Sequence, residues 1–319
     1  MKKLKFSSLI ALFIAAIMVL GACGTKKSDE ASGKESKKAN TITIEHAMGT
    51  TKVPVNPKRV VILTNEGTEA LLALGVKPVG AVKSWTGNPW YDHISKDMDG
   101  VEVVGVESEV NLEKIAGLKP DLIIGNKMRQ EKVYEQLSAI APTVFAETLR
   151  GDWQENFKFY AKVLNKEEQG NKVLADYSKR VDDLKAELGD KVNQKISMVR
   201  FMGADVRIYH QDTFSGVILK QLGFQRPEEQ NAPDFAERGV TKERIPAMDG
   251  DYLFYFTFDD GKESGSKLEK EFTEDPLFKK LNASKNGHVI KVNDVTWNTA
   301  GGIKAAYLML DDIEKTFTK

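Results

Sequence analysis

The stretch EKIAGLKPDLII (residues 113–124) joins a short helical run to a strand, and ERIPAMDGDYLF (residues 243–254) repeats that combination. In both stretches an acidic and a basic residue precede an isoleucine, and an aspartate stands directly before an apolar run. A second pair of similar stretches, LLALGV (71–76) and ILKQLGF (218–224), has one member ahead of each of these, so the two repeats occur in the same order along the chain. Two repeats in one order favour a chain built from two related halves.

Both repeats belong to an alternation of short β-branched runs with helical periodicity, which predicts an α/β fold. The predicted strands are 60–63, 79–82, 122–124, 143–145, 196–201, 206–209, 252–258 and 289–292, and the predicted helices are 68–74, 112–118, 133–140, 215–222 and 303–317. Between Trp153 and Lys191 no strand signal appears, and apolar residues recur at helical spacing. One long helix, or two helices in line, is therefore predicted to join two α/β lobes.

The first residues have the features of an export signal. A basic start precedes the nearly apolar run 9–20, which is shorter than the roughly 20 residues that span a bilayer. Leu20–Gly21–Ala22–Cys23 resembles a bacterial lipobox, in which the cysteine is lipidated and becomes the mature N-terminus. The alternative for this single cysteine is a free buried thiol. Residues 25–40 contain no large apolar side chain and are predicted to be a flexible tether.

The predicted organisation has five parts, and it implies a protein anchored by lipid on the outer face of the cell membrane. These parts are a signal peptide (1–22), a lipidated N-terminus with its tether (23–40), an N-terminal lobe (41–152), a connecting helix (153–191) and a C-terminal lobe (192–319).

Charge and cysteine content exclude some classes of function. The chain has 46 basic and 46 acidic residues, and removal of a signal with three lysines leaves it mildly acidic. Nucleic-acid binding requires a basic face, so no nucleic-acid partner is predicted. With Cys23 lipidated no cysteine pair remains for a disulfide, and stability must come from the core, which this chain length allows.

Cations and aromatic rings collect where the predicted strands end. Ligands of open α/β sheets bind beyond the carboxyl ends of the strands. The candidate ligand-binding residues found there are Lys83, Trp85, Trp90, Tyr91, Arg129, Arg200, Arg207, Tyr209, His210, Tyr255 and Trp297. Guanidinium groups offer paired donors to oxygens, and rings add contact area, so we expect a bulky ligand with negative charge or many oxygen acceptors. For each residue the alternative is a solvated loop charge or a core side chain.

Signals for catalysis are weak. The sequence contains no Walker A motif, no G-x-G-x-x-G and no G-x-S-x-G. Its four histidines, at 46, 93, 210 and 288, lack metal-ligand spacing. The prediction is a binding protein without a metal site of its own, not an enzyme.

Three stretches carry a family resemblance together with the lipobox and the central helical segment. They are PKRVVILTNEGTEALLALGVKPVGAV (57–82), NLEKIAGLKPDLIIGN (111–126) and MVRFMGADVRIYH (198–210). On these features the chain resembles the iron-siderophore substrate-binding lipoproteins of bacterial ABC importers. It implies two Rossmann-like lobes bridged by one long α-helix, with the ligand in a shallow groove between them. Because such a helix resists hinging, closure around the ligand should be modest.

The resemblance also implies a ligand and partners. The ligand would be a ferric siderophore of the hydroxamate or citrate-hydroxamate type, with iron held by the siderophore and no cofactor on the protein. Glu113 and Glu243 match the family's glutamates that dock onto the ABC permease, although acidic residues are also favoured at helix starts for their own sake. A monomer is expected.

Three alternatives to a siderophore receptor remain open. The first two are a receptor for haem, with Met202, Tyr209 or His210 as axial ligand, and a receptor for cobalamin. The third is an exported esterase that processes siderophores, which would need a nucleophile near His210.

Overall fold

A computed structural model describes residues 40–203, 205–259 and 261–318, which belong to one compact unit. The predicted signal peptide, Cys23 and nearly all of the tether lie outside the described residues. Within the described ranges, no helix is long and apolar enough to cross a membrane.

Strands and helices alternate along most of the chain. The strands are β1 (Thr41–His46), β2 (Gly49–Pro54), β3 (Val60–Ile62), β4 (Gly80–Ala81), β5 (Glu102–Val103), β6 (Gly105–Val106), β7 (Glu109–Val110), β8 (Leu122–Asn126), β9 (Thr143–Ala146), β10 (Ile196–Met202), β11 (Asp205–Tyr209), β12 (Ala236–Glu237), β13 (Tyr252–Phe258) and β14 (Val289–Lys291). The α-helices are α1 (Asn65–Ala73), α2 (Leu112–Gly117), α3 (Lys127–Gln130), α4 (Tyr134–Ile140), α5 (Trp153–Val163), α6 (Glu167–Leu188), α7 (Phe214–Leu222), α8 (Ser264–Thr273), α9 (Asn282–Lys285) and α10 (Ile303–Phe317).

Two five-stranded sheets form the centres of the two halves. The N-terminal sheet has the order β5-β4-β3-β8-β9 and is wholly parallel. The C-terminal sheet has the order β12-β11-β10-β13-β14, in which β10, β13 and β14 are parallel and β11 and β12 antiparallel. Strands buried on both faces are continuous apolar runs, as β3 is here. The arrangement confirms the predicted α/β class.

The repeated aspartates hold equivalent places in the two sheets. The Asp121 carboxylate, just before β8, accepts hydrogen bonds from the backbone N–H groups of Lys58 (2.8 Å) and Arg59 (3.0 Å), just before β3. The Asp251 carboxylate, just before β13, accepts one from the N–H of Lys195 (2.7 Å), just before β10. Each aspartate thus fixes the start of the central strand pair of its half, in the same register.

The predicted long helix between the halves is confirmed as α6, but α5 before it is a separate helix that packs against α6 instead of continuing it in line. Asn165 adopts φ 54°, and the N–H of Lys166 bonds the carbonyl of Ala161 at 2.8 Å, a turn that ends α5. A Cβ on Gly170 of α6 would lie 2.6 Å from the Ala161 Cβ, so the two helices pack against each other. The connection itself is α6, whose 22 residues span about 33 Å.

Helix α10 and the segment before it return to the N-terminal half. The N–H of Ala305 bonds Glu69 Oε2 of α1 at 2.9 Å, and Lys304 Nζ lies 2.7 Å from Asp97 Oδ2. The Tyr91 hydroxyl donates to the carbonyl of Thr299 at 3.0 Å. The two halves are therefore joined at several places besides α6, which limits how far they can hinge.

Candidate ligand-binding site

A cavity of about 400 Å³ lies at the carboxyl edges of both sheets and draws its lining from both halves. Five arginines and two glutamates stand in it among mostly aromatic and aliphatic groups. The lining residues are Glu66, Trp85, Glu107, Arg129, Leu149, Arg150, Arg200, Met202, Arg207, Tyr209, Phe214, Phe235, Arg238, Phe258, Asn298, Thr299, Ala300 and Gly301.

Arg200, near the end of β10, is the most firmly held cation of the cavity. Its Nε and Nη2 donate to the two carboxylate oxygens of Asp294 at 2.7 and 3.0 Å, and both side chains are buried. The guanidinium also lies 5.1 Å from the ring centroid of Phe258 and within 3.5 Å of the Tyr209 hydroxyl. A bidentate pair fixes a guanidinium in both position and orientation.

Arg129, just after β8, is the corresponding cation of the N-terminal half, but it is more open. Its Nε lies 3.3 Å from Glu107 Oε2, and its side chain is 41% exposed. Glu107 is buried and accepts hydrogen bonds from the N–H and the side-chain amide of Asn65 at 2.6 and 2.9 Å. The guanidinium lies 5.9 Å from the ring of Trp85. Arg129 is thus placed at the edge of the cavity and free to contact a ligand.

Three guanidinium groups surround the ring of Phe235, and we call this set the Phe235 cluster. The distances to the ring centroid are 4.2 Å for Arg150, 6.0 Å for Arg207 and 5.3 Å for Arg238. Asp205 holds Arg207 at 2.6 Å, and Asp212 lies 3.7 Å from Arg150. Cations gathered at one point repel each other, and an anion bound among them relieves that repulsion. The cluster therefore favours an anionic ligand.

Glu66, in the first turn of α1, is a buried acid at the cavity wall. The Tyr160 hydroxyl donates to its Oε1 at 3.3 Å. Burial raises the pKa of Glu66 well above its ordinary value, and the nearby carboxylates of Glu107 and Glu69 raise it further, while hydrogen bonding from Asn156 opposes the shift.

The structure brings five of the eleven predicted ligand-binding residues to the cavity. These five are Trp85, Arg129, Arg200, Arg207 and Tyr209. The six that lie elsewhere are Lys83, Trp90, Tyr91, His210, Tyr255 and Trp297.

Rings that the sequence suggested for the cavity are instead used in the core. Trp297 is fully buried, stacks on Phe254 at 4.7 Å and donates from Nε1 to Asp312 Oδ2 at 2.9 Å. Trp90 is 6% exposed and belongs to the same core. Tyr91 is buried, and burial raises its pKa above the ordinary value.

The other three have partners or surroundings outside the cavity. His210 Nδ1 lies 2.5 Å from Asp234 Oδ1. The Tyr255 hydroxyl lies 3.3 Å from Glu269 Oε1, and burial raises the pKa of Tyr255 to about 12. Lys83 is exposed on its loop.

Several cavity residues were missed, and some of them carried a usable signal. Glu66 lies soon after β3, Arg150 lies soon after β9, and Phe258 is the last residue of β13, so all three stand at the carboxyl ends of strands, where ligands of α/β sheets bind. Phe235 and Arg238 lie around the two-residue strand β12, where the sequence gives no clear strand pattern.

Glu113 and Glu243 occupy equivalent exposed sites. Glu113 lies in the first turn of α2, just ahead of β8, and Glu243 lies in the first turn of the 3₁₀ helix Lys242–Met248, just ahead of β13. Hydrogen bonding from the Thr241 side chain lowers the pKa of Glu243. Both carboxylates therefore stand on the surface at matching positions of the two halves.

The described ranges contain no group of three or more His, Cys, Asp or Glu residues placed to hold a metal ion. The arginines are suited instead to carboxylate-like oxygens of a whole ligand.

Comparison with known proteins gives consistent matches over almost the whole chain. The profile of the periplasmic binding protein family matches residues 60–296. The chain is 54% identical over 324 residues to the probable siderophore-binding lipoprotein YfiY of Bacillus subtilis, covering 99% of each. It is 32% identical over 314 residues to the Fe(3+)-citrate-binding protein YfmC of the same organism, covering 98% of this chain and 96% of the other.

A solved structure also matches. Staphylococcus aureus SirA, crystallised with staphyloferrin B, is 38% identical and superposes with a TM-score of 0.80, over 86% of this chain and 98% of SirA.

Proposed function

This chain belongs to the periplasmic binding protein family, and we propose that it is an extracytoplasmic receptor that binds a ferric siderophore between its halves and delivers it to an ABC permease for iron uptake. The family consists of binding proteins, which confirms the prediction that the chain is not an enzyme. The observation that carries the proposal is the meeting of five arginines, from both halves, in one cavity.

The ligand that suits this cavity is a ferric chelate of the citrate-hydroxamate or hydroxamate type, and the arginines favour one with carboxylates. A guanidinium binds a carboxylate through two parallel hydrogen bonds, and the cavity volume lies within the ordinary range for small-molecule sites, about 300–1,000 Å³. The relatives support this choice, because one is named for Fe(3+)-citrate and SirA was crystallised with staphyloferrin B. Iron would arrive inside the chelate, as cargo.

A haem receptor is not favoured by the positions of its three possible axial ligands. Met202 Sδ and the Tyr209 hydroxyl both lie within 3.5 Å of Arg200, and His210 pairs with Asp234 away from the cavity. An exported esterase is not favoured either. It would need a nucleophile near His210, and His210 pairs with Asp234 and does not line the cavity.

The anchor and the docking surface are further parts of the proposal. Lipidation at Cys23 would hold the receptor at the membrane, in keeping with the lipoprotein name of the relative that is 54% identical. Glu113 and Glu243 would contact basic residues of the permease, and two contacts far apart on a rigid body fix orientation more than affinity. The receptor would act as a monomer.

The binding proposal is tested by titrating the protein with ferric citrate, ferric staphyloferrin B and a ferric trihydroxamate. We expect saturable heat release in calorimetry and quenching of tryptophan fluorescence with at least one of them. Trp85→Phe should remove most of the quenching, whereas Trp297→Phe, a change at a buried tryptophan outside the cavity, should leave it. A folded protein that releases no heat with any chelate would contradict the proposal.

The docking proposal is tested by reversing both charges, Glu113→Lys with Glu243→Lys. Siderophore affinity should stay the same, because neither residue lines the cavity, while iron uptake by cells that depend on this receptor should be lost. Glu135→Lys, at an exposed glutamate in the first turn of α4, is the matched control and should support normal uptake. Normal uptake by the double variant would refute the docking role.

A further inference from the structure

Glu66 is a buried acid that lines the cavity. Glu66 is only 6% exposed. Within the described ranges, no lysine, arginine or histidine forms an ion pair with its carboxyl group. The cations around the cavity are directed to other acids: Arg129 to Glu107 and Arg200 to Asp294. Among the described residues, Glu66 therefore has no counter-ion, unlike Glu107 and Asp294.

The groups that face Glu66 are neutral or acidic on each element packed around it. Helix α5 contributes the Tyr160 hydroxyl, which donates to Oε1, and the Asn156 amide. Helix α1 contributes the carboxyl group of Glu69, which is held by His93 at 2.5 Å. The turn between β6 and β7 contributes Glu107. The segment 298–301, which closes the cavity from the other half, brings no titratable side chain.

An ionised Glu66 would be costly in these surroundings. A buried carboxylate without a counter-ion loses its hydration, and two further carboxyl groups nearby repel its charge. It would also repel an anionic ligand held by the five arginines. The neutral acid avoids both penalties and leaves an O–H donor at the cavity wall.

We propose that Glu66 is a specificity-determining residue that meets the ligand as a neutral carboxylic acid and donates a hydrogen bond to a carboxylate or hydroxamate oxygen of the ferric siderophore. This inference rests on the proposed function, since it assigns a role within the same cavity. The neutral acid selects ligands by charge. A ligand can place a negatively charged oxygen beside Glu66, because the neutral acid does not repel it. A neutral acid in an apolar site is a general way to place a strong donor.

The proposal makes siderophore affinity depend on pH. Binding of the anionic oxygen stabilises the protonated acid, so the pKa of Glu66 is higher in the complex than in the free protein. Affinity is then fully present below the pKa of the free protein and falls as pH rises above it, by at most about tenfold per pH unit.

The test is calorimetry of the full mature chain with ferric citrate and ferric staphyloferrin B, from about pH 6 to about pH 9. Glu66→Gln keeps a neutral hydrogen-bonding group, so we expect it to bind about as tightly as the wild type at low pH and to lose the pH dependence seen in the wild type. Glu66→Ala should bind about tenfold more weakly at low pH. Because the chelates themselves are the same in each titration, the difference between wild type and Glu66→Gln reports the protein's own proton.

Two controls make the outcome clear. Glu135→Gln, the same change at an exposed glutamate of α4, should keep the wild-type affinity and pH profile. Thermal unfolding of each variant shows whether the fold is kept. A folded Glu66→Gln that keeps the pH profile of the wild type, or that binds as weakly as Glu66→Ala at low pH, would overturn the inference while leaving the receptor function intact. A folded wild type that binds neither chelate would remove the proposed function for this ligand class, and the inference with it.

Discussion

The two halves of the molecule share a frame but supply different chemistry to the cavity. In each half a threonine accepts a hydrogen bond from the N–H of the glycine three residues later: Thr64 with Gly67 at 3.0 Å and Thr213 with Gly216 at 2.9 Å. A Cβ at either glycine would lie within 2.7 Å of that threonine hydroxyl, so both turns require glycine. The two halves thus share even the threonine that caps their first helix, Thr64 for α1 and Thr213 for α7.

The cavity residues show where the halves differ. The N-terminal half supplies two arginines and both glutamates, Glu66 and Glu107, whereas the C-terminal half supplies three arginines and most of the rings. The antiparallel strands β11 and β12 exist only in the C-terminal half, and Arg207, Phe235 and Arg238 lie on or beside them. The regular core of each repeat builds the frame, and the part in which the repeats differ builds most of the basic surface.

The largest expected effect is a difference in stability between two arginine–carboxylate pairs, Arg200 with Asp294 in the C-terminal half and Arg129 with Glu107 in the N-terminal half. Arg200→Met leaves Asp294 buried and uncompensated, so the free energy of unfolding should fall by about 3–5 kcal/mol in urea denaturation. Arg129→Met should lower it by less, because Arg129 is 41% exposed and the buried Glu107 keeps its two hydrogen bonds from Asn65.

A second variant checks the cause of that loss. Arg200→Met combined with Asp294→Asn removes the unpaired charge and should recover most of the stability while siderophore binding stays weak. Equal instability of the single and double variants would show that packing, and not charge, is responsible.

The next effect concerns affinity and tests whether the C-terminal half supplies the anion-binding charge. Arg238 is exposed beside Phe235, so Arg238→Gln should leave stability unchanged and weaken the binding of ferric citrate or ferric staphyloferrin B about tenfold, as calorimetry would measure. Arg244→Gln is the matched control, because Arg244 pairs with Glu229 and Glu237 on the surface of the same half and does not line the cavity. Equal weakening by both changes would point to a general loss of positive charge.

The smallest expected effect concerns the bend before the connecting helix. Asn165 has a positive φ, which alanine adopts less readily than asparagine or glycine. Asn165→Ala should lower the free energy of unfolding by about 1 kcal/mol, and Asn165→Gly should change it by a few tenths. The same loss for both variants would mean that the asparagine side chain, and not the backbone angle, ends α5.

The repeated frame was accessible from the sequence because it depends on local patterns. The predicted strand 252–258 and the predicted helix 303–317 coincide with β13 and α10, and Gly223 closes α7 with φ 93° as a C-terminal glycine should. The bend at Asn165 was missed because apolar spacing continues on both sides of it, and spacing alone does not report a positive φ.

The cavity was only partly accessible because burial depends on distant contacts. Trp85 and Trp297 both follow predicted strands, yet Trp297 finds Phe254 and Asp312 and is buried, while Trp85 remains at the cavity. Nothing local distinguishes the two indoles. The pairing of Arg200 with Asp294 likewise joins residues 94 positions apart, so sequence placed the arginine but not its partner.

The most direct test of the whole account is a crystal structure of the protein with ferric staphyloferrin B. We expect the chelate between the two halves, with its carboxylate oxygens within hydrogen-bond distance of Arg200 and at least one arginine of the Phe235 cluster. A chelate bound on another face, or one in the cavity that touches none of these arginines, would contradict it.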